Sequence, residues 1–380
     1  MNTSHTRPLD SPPLLLLIAL TPFLLALSKY MFWESVGVFD FYAFHLAGGL
    51  ANSGQLEQLY NPQAIMAQYE AAYGVKTSLP WFYPPLLLPY CQFLALFPVA
   101  TAYLVHSIIS LSLYYALIIK AFPARWRDII VLSALPITIT LTFGHPTLLL
   151  LVFALAAYKI ANKHLILALV FFMLAAAKPQ IGGVLLLLFF LKKLPRSLGP
   201  SAVIAAVTIL SIATLYTWDS WVLFFNSLLL AGHSLQAQTI NQIWMSSAFI
   251  SLQSHGMPTG LALVFHFALL IGLAMAAMRF LGLAQPDRFW FAAGVAMVFF
   301  SPYLMFYDLA FLLFPIIIAL PHINTEKGKN WVYLLLLWEA SLPIVMALEP
   351  EQNFNFIIGV GVVILLFAGL HRYRTTPQIY

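Results

Sequence analysis

The chain has 380 residues and a formal net charge of +5, yet 8% of its residues are charged, 62% are hydrophobic and 15% are aromatic. Soluble domains carry charge on roughly a quarter of their residues, so this composition, with a mean hydropathy of +0.89, excludes an ordinary soluble fold. Apolar runs near the roughly 20 residues that cross a bilayer follow one another without a polar block large enough to fold alone, so 1–380 reads as one all-α, polytopic membrane domain.

The first run, Leu14–Phe32, follows a short polar start and ends in Lys-Tyr-Met-Phe-Trp, with no small residues at a cleavage position. It reads as an uncleaved first span. Further crossings are predicted near 99–119, 129–143, 146–161, 164–178, 180–191, 200–218, 259–278, 289–304, 309–321, 331–347 and 355–371, about twelve in all. Tyr83–Pro98 is short and contains Pro84, Pro85, Pro89 and Pro98, so it is read as re-entrant or as a broken helix lining a cavity. With an inside amino terminus, fifteen of the eighteen Lys and Arg residues fall in inner loops, and the exceptions are Lys29, Lys76 and Lys178. The positive-inside rule therefore places the two long loops, 34–82 and 219–258, outside, in a cell inner (plasma) membrane.

The inner loops hold no glycine-rich nucleotide signature, and the scattered histidines and single Cys91 give no metal-ligand spacing, so neither cofactor nor metal is expected. The basic surplus reads as loop charge at an anionic leaflet, with membrane lipids as partners and no nucleic acid.

Polar groups at membrane depth are costly and ask for a partner or a job. Asp40, His45, Tyr83, His145, Lys178, Asn241, Gln242 and the stretch Ser301-Pro302-Tyr303 through Asp308 all fall at outer ends of the predicted spans, where they can converge on one outward-facing cavity. Asp40 reads equally as a helix cap or as a catalytic acid, because the stripe Phe41, Phe44, Ala47, Gly48 and Ala51 suits a helix lying along the interface. Lys178, between three alanines and Pro179 at a helix break, reads as a functional lysine more than a headgroup anchor. Taken alone, His145 reads as a helix-end residue, Tyr83 as an aromatic-belt anchor, and Asn241 and Gln242 as loop residues. Glu339 reads as an interhelical hydrogen-bonding group.

The order Asp40-Phe41, then Gly54-x-Leu56-x-x-Leu59-Tyr60-Asn61-Pro62, then Phe82-Tyr83-Pro84-Pro85-Leu86, resembles glycosyltransferase family 87 of the GT-C superfamily, polyprenol-phosphate-mannose-dependent mannosyltransferase-like proteins. Gly144-His145 stands where the family usually has Gly-Gln; Ala177-Lys178-Pro179, Asn241-Gln242 and Ser301-Pro302 are similar to its later motifs. His145 and His45 depart from its usual residues. The resemblance covers about residues 13–320, and its first eighty or so residues are the specific part. It implies a GT-C-like fold with a juxtamembrane-helix-containing first outer loop. It implies an inverting hexosyltransferase that moves a sugar, mannose foremost, from a polyprenyl-phosphate-sugar donor to a glycolipid or glycan acceptor of the cell envelope. Asp40 would be the catalytic base, Lys178 with His145 and Tyr83 would meet the donor phosphate, and His45, Asn241, Gln242, Tyr303 and Asp308 would contact substrate. Two other readings stay open: a transporter or flippase of lipid-linked sugars, and a non-catalytic subunit presenting such a lipid.

Overall fold

The computed structural model describes residues 12–33, 39–75, 79–189, 199, 216, 218–237, 245–281 and 286–320. Every regular element among them is helical, and the one β contact is an isolated bridge between Met245 and Met305. The predicted spans 331–347 and 355–371, nearly all of 200–218, and Glu339 lie outside the described residues.

Helix α1, Pro12–Met31, turns Leu16, Leu17, Leu20 and Leu24 outward and buries Ala26. A leucine face left open by the described residues suits lipid far better than water. α1 and the long helix Val99–Ala121 are the two described helices long and apolar enough to cross a bilayer alone. Shorter apolar helices coincide with half of the other predicted spans, so an all-helical, polytopic membrane architecture fits, while the expected count of about twelve crossings is not reached among the described residues. Prolines interrupt the apolar runs, with Pro146 preceding a 14-residue helix, Thr147–Ile160, and Pro179 following an 11-residue one, Leu165–Ala175.

The first long loop is itself mostly helical: α2, Phe39–Asn52; α3, Leu56–Tyr60; and α4, Pro62–Tyr73. Asn61 caps α4 by accepting hydrogen bonds from the backbone N–H groups of Gln63 and Ala64, and Pro62 takes the first helical position. Residues Pro85–Leu94 follow as a 3-10 turn running into α5, Leu88–Leu94. Ten helical residues are about 15 Å long, half of a hydrocarbon core, so this piece is too short to cross on its own. α5 lies against α2 at backbone contact: a Cβ on Gly48 would stand 2.0 Å from the Cys91 carbonyl oxygen.

Next come α6, Val99–Ala121; α7, Trp126–Thr142; α8, Thr147–Ile160; α9, Leu165–Ala175; and α10, Pro179–Phe189, whose first turn is π-helical. Within the second long loop lie α11, Trp218–Ala237, and α12, Ala248–Ser254. The described chain ends with α13, Thr259–Leu281; α14, Pro286–Phe300; a 3-10 turn, Phe306–Leu312; and α15, Leu313–Ala319. One large apolar core runs through α2 to α10 and on to α15.

The antiparallel course of these helices sorts charge by end. Lys120, Arg125 and Arg127 flank the α6–α7 turn, and Lys159 and Lys163 close α8. Arg288 opens α14 beside Asp287, whose carboxylate accepts a 2.9 Å hydrogen bond from Tyr158 near the end of α8. The opposite end of the bundle carries α2, the α7–α8 turn, Lys178 and Asp308.

Candidate active site

Four chain breaks build one polar cluster inside the apolar core. The first is the start of α2. Asp40 sits in its first turn, and Phe44, one turn further on the same face, packs its ring 5.2 Å from His145 and 5.3 Å from Tyr83. The second is the α7–α8 turn. Gly144 adopts φ +63°, a left-handed conformation open to glycine at little cost, and this lets His145 and Pro146 reverse the chain into α8.

The third break follows α9. Pro179 disfavours helical backbone at the preceding residue, and Lys178 adopts φ −109°, ψ 90°. Its carbonyl accepts from the N–H groups of Ile181 and Gly182, which starts the π turn. Its side chain is thereby sent inward, 2% exposed. The fourth is the 3-10 turn, which carries Tyr307 and a 1% exposed Asp308.

These breaks meet side chain to side chain. The Lys178 ammonium donates to both oxygens of Asp308, at 2.5 and 2.6 Å. The Thr147 hydroxyl donates to Asp308 Oδ1 at 3.0 Å. The same hydroxyl lies 2.6 Å from His145 Nδ1, which also faces the Thr147 backbone N–H at 3.3 Å, and His145 Nε2 lies 2.6 Å from the Tyr83 hydroxyl. The result is a continuous hydrogen-bonded chain through Tyr83, His145, Thr147 and Asp308, closed by Lys178. Tyr60 anchors its far end by donating to the Tyr83 carbonyl at 3.0 Å.

Asp40 joins this chain through Tyr307, whose ring stacks on His145 at 4.3 Å between centroids and whose hydroxyl hydrogen-bonds to the Asp40 carboxylate. Unlike Lys178 and Asp308, Asp40 keeps partial exposure. Burial raises its pKa to about 6; the Tyr307 hydrogen bond and the Lys178 charge work against the rise, and the Asp308 charge works with it. A carboxylate in that range is ionised at neutral pH and is a stronger base than an ordinary aspartate.

Of the residues singled out from the sequence, Asp40, Tyr83, His145, Lys178 and Asp308 therefore lie together. His45 does not join them: its Nε2–H donates to the Phe97 carbonyl at 2.8 Å, and its Nδ1 accepts from the Tyr73 hydroxyl at 2.7 Å, tying α2 to α4 and to the turn before α6. Tyr303 packs on Phe249 at 5.3 Å in a separate small cluster. Asn241 and Gln242 are outside the described residues. Three members were missed. Tyr307 and Thr147 complete the chain, and His106, wholly buried in α6, lies beside the His145 backbone and meets the Tyr90 hydroxyl at 2.8 Å through Nδ1. A histidine within a long apolar helix was itself a signal.

No group of three or more His, Cys, Asp or Glu side chains suited to a metal occurs among the described residues. One partly exposed carboxylate, Asp40, is thus backed by a buried polar chain neutralised by the Lys178–Asp308 pair, inside an all-helical and strongly apolar protein. The profile of glycosyltransferase family 87 matches residues 81–306, more than half of the sequence, and the chain belongs to that family. It is thus a glycosyltransferase. The match begins at Trp81, so Asp40 and the first eighty residues, expected to be the most specific part, stand outside it, as do Tyr307 and Asp308. No curated protein and no solved structure matches significantly.

Proposed function

We propose that the chain transfers a hexose, mannose foremost, from a polyprenyl-phosphate-sugar donor to a glycolipid or glycan acceptor, with inversion, at the outer face of the inner membrane. The observation that carries this reading is Asp40: a carboxylate raised to about 6, held by Tyr307, and the one partly exposed carboxylate of the polar chain. In the proposed step the acceptor hydroxyl gives its proton to Asp40, and its oxygen bonds to the anomeric carbon. The bond from that carbon to the phosphate oxygen breaks on the opposite face, and the electron pair leaves with the polyprenyl phosphate. A phosphate is a good leaving group, so one carboxylate suffices where a glycoside hydrolase uses two.

Lys178 keeps one of its three ammonium hydrogens after bonding Asp308, and this is the donor offered to the phosphate. Tyr83 and His145 act as positioning residues, because both are bonded within the chain that holds Asp308 in place. The outer location is supported by the sorting of charge, with the basic turns at the end away from Asp40.

The test is incubation of membranes containing the protein with radiolabelled polyprenyl-phosphate-mannose and cell-envelope acceptors. A new labelled product that depends on Asp40 is expected, and absence of any transfer by the wild-type chain overturns the reading. Sidedness is read by single cysteines at Ser53 and Ser197 with Cys91 replaced by Ser, using an impermeant maleimide on intact cells. Ser53 is expected to label and Ser197 to stay dark.

A further inference from the structure

Among the described side chains, the charges of the site do not balance. Lys178 and Asp308 cancel, and ionised Asp40 adds a negative charge. A lipid phosphodiester brings another, and as the sugar leaves, the charge that Asp40 gives up on taking the acceptor proton reappears on the departing phosphate, so two negative charges persist throughout. Charge of that size in an apolar site calls for a further cation nearby.

Among the described side chains, the other cation at this end of the bundle is Lys29. It sits in the last turn of α1, the helix whose leucine face is turned outward, and it is partly exposed. Its ammonium donates one hydrogen bond, 2.7 Å, to the Thr142 carbonyl at the end of α7. Phe143 and His145, one and three residues further on, both pack against Tyr307, which holds Asp40. The same corner is closed from the other side. Trp33, just past α1, packs 6.5 Å from Phe41 and 5.4 Å from Tyr103, and the Tyr103 hydroxyl donates to the Leu141 carbonyl at 3.0 Å. Lys29 is therefore held at this corner of the site, on a helix whose leucine face is turned outward, with two ammonium hydrogens free of the Thr142 contact.

We infer that Lys29 binds the phosphate of the lipid-linked donor and supplies the counter-charge that the Lys178–Asp308 pair cannot. This rests on the transferase reading for its purpose, while its binding step can be tested separately. A lysine here has a structural use as well, since a cation beside the last carbonyls of a helix is stabilising. The same ammonium could also meet an ordinary phospholipid headgroup, so the two phosphate sources are separated in the experiment.

The protein is placed in nanodiscs of zwitterionic lipid, and binding of undecaprenyl phosphate is compared with binding of undecaprenol, which lacks the phosphate. The wild type should prefer the phosphate by about 10- to 100-fold, the range of a charge-assisted contact. Lys29→Gln should lose most of that preference while binding undecaprenol as before, and Lys29→Arg should keep most of it. Unchanged binding of undecaprenol by Lys29→Gln shows that this corner of the site is intact, so loss of the phosphate preference reports charge and not unfolding. If Lys29→Gln discriminates like the wild type, the inference falls. If discs enriched in phosphatidylglycerol abolish the wild-type preference, Lys29 is a general headgroup anchor and the inference also falls. A wild type that binds undecaprenyl phosphate through Lys29 yet transfers no mannose would sink the transferase reading and leave the Lys29 site standing.

Discussion

Replacing Asp40 by Asn tests the proposed chemistry and its physical basis together. The carboxyl rises from the ordinary 3.8 to about 6, so keeping it ionised in the folded chain costs up to about 3 kcal/mol. The sign follows from the raised pKa. The stability associated with the protonated form is full below 3.8 and is lost as pH rises through about 6. Asn mimics the protonated acid, so Asp40→Asn should melt at or above the wild-type temperature at pH near 7.5, and this advantage should vanish near pH 4. Transfer from radiolabelled polyprenyl-phosphate-mannose should nevertheless fall by about 10²–10⁴-fold, the usual scale for a general base. A normally inserted variant that transfers at close to the wild-type rate removes Asp40 from the mechanism. One that is markedly less stable at neutral pH refutes the claim that an ionised carboxylate is held there at a cost.

Gly48→Ala should separate α2 from α5, because its Cβ would sit 2.0 Å from a backbone oxygen that has no rotamer to yield. Transfer and thermal stability should then fall together, with detergent melting curves as the measurement. Thr147→Val keeps volume but removes the hydroxyl partner of His145 Nδ1 and one donor to Asp308. A loss of about 1–3 kcal/mol is expected from unfolding in denaturant.

The sequence made the apolar elements legible, because a run such as Val99–Ala121 can be read from composition alone. It also exposed Asp40 and Lys178, since a charge in apolar surroundings stands out without any knowledge of neighbours. Partners were harder to see. Lys178 and Asp308 are 130 residues apart, and pairing them required knowing that two chain breaks face one another. The stretch from Ser301 to Asp308 does not separate Tyr303 from Tyr307, because in a 3-10 turn entered from an irregular segment the facing residue cannot be read from periodicity. His45 stands out in the sequence for the same reason as Asp40, and in the fold it bridges the Tyr73 hydroxyl and the Phe97 carbonyl.

The buried pair explains how Asp40 can be both ionised and basic. A lone Lys178 would draw the Asp40 pKa down, giving a carboxylate that is always charged but a poor proton acceptor; Asp308 offsets that pull, and burial is left to decide the value. Asp308→Asn should therefore uncover the lysine and move the acidic limb of the pH profile of kcat/KM from about 6 to lower pH, with a lower plateau above it. Lys178→Gln should move the same limb upward. Each single change also leaves a buried charge without its partner and should cost about 3–5 kcal/mol, so the profiles are taken on the folded fraction at low temperature. A purely structural pair would lower stability in both variants and leave the limb in place. Opposite displacements of the limb are the result that only an electrostatic role for the pair produces, and identical profiles in the two variants would refute it.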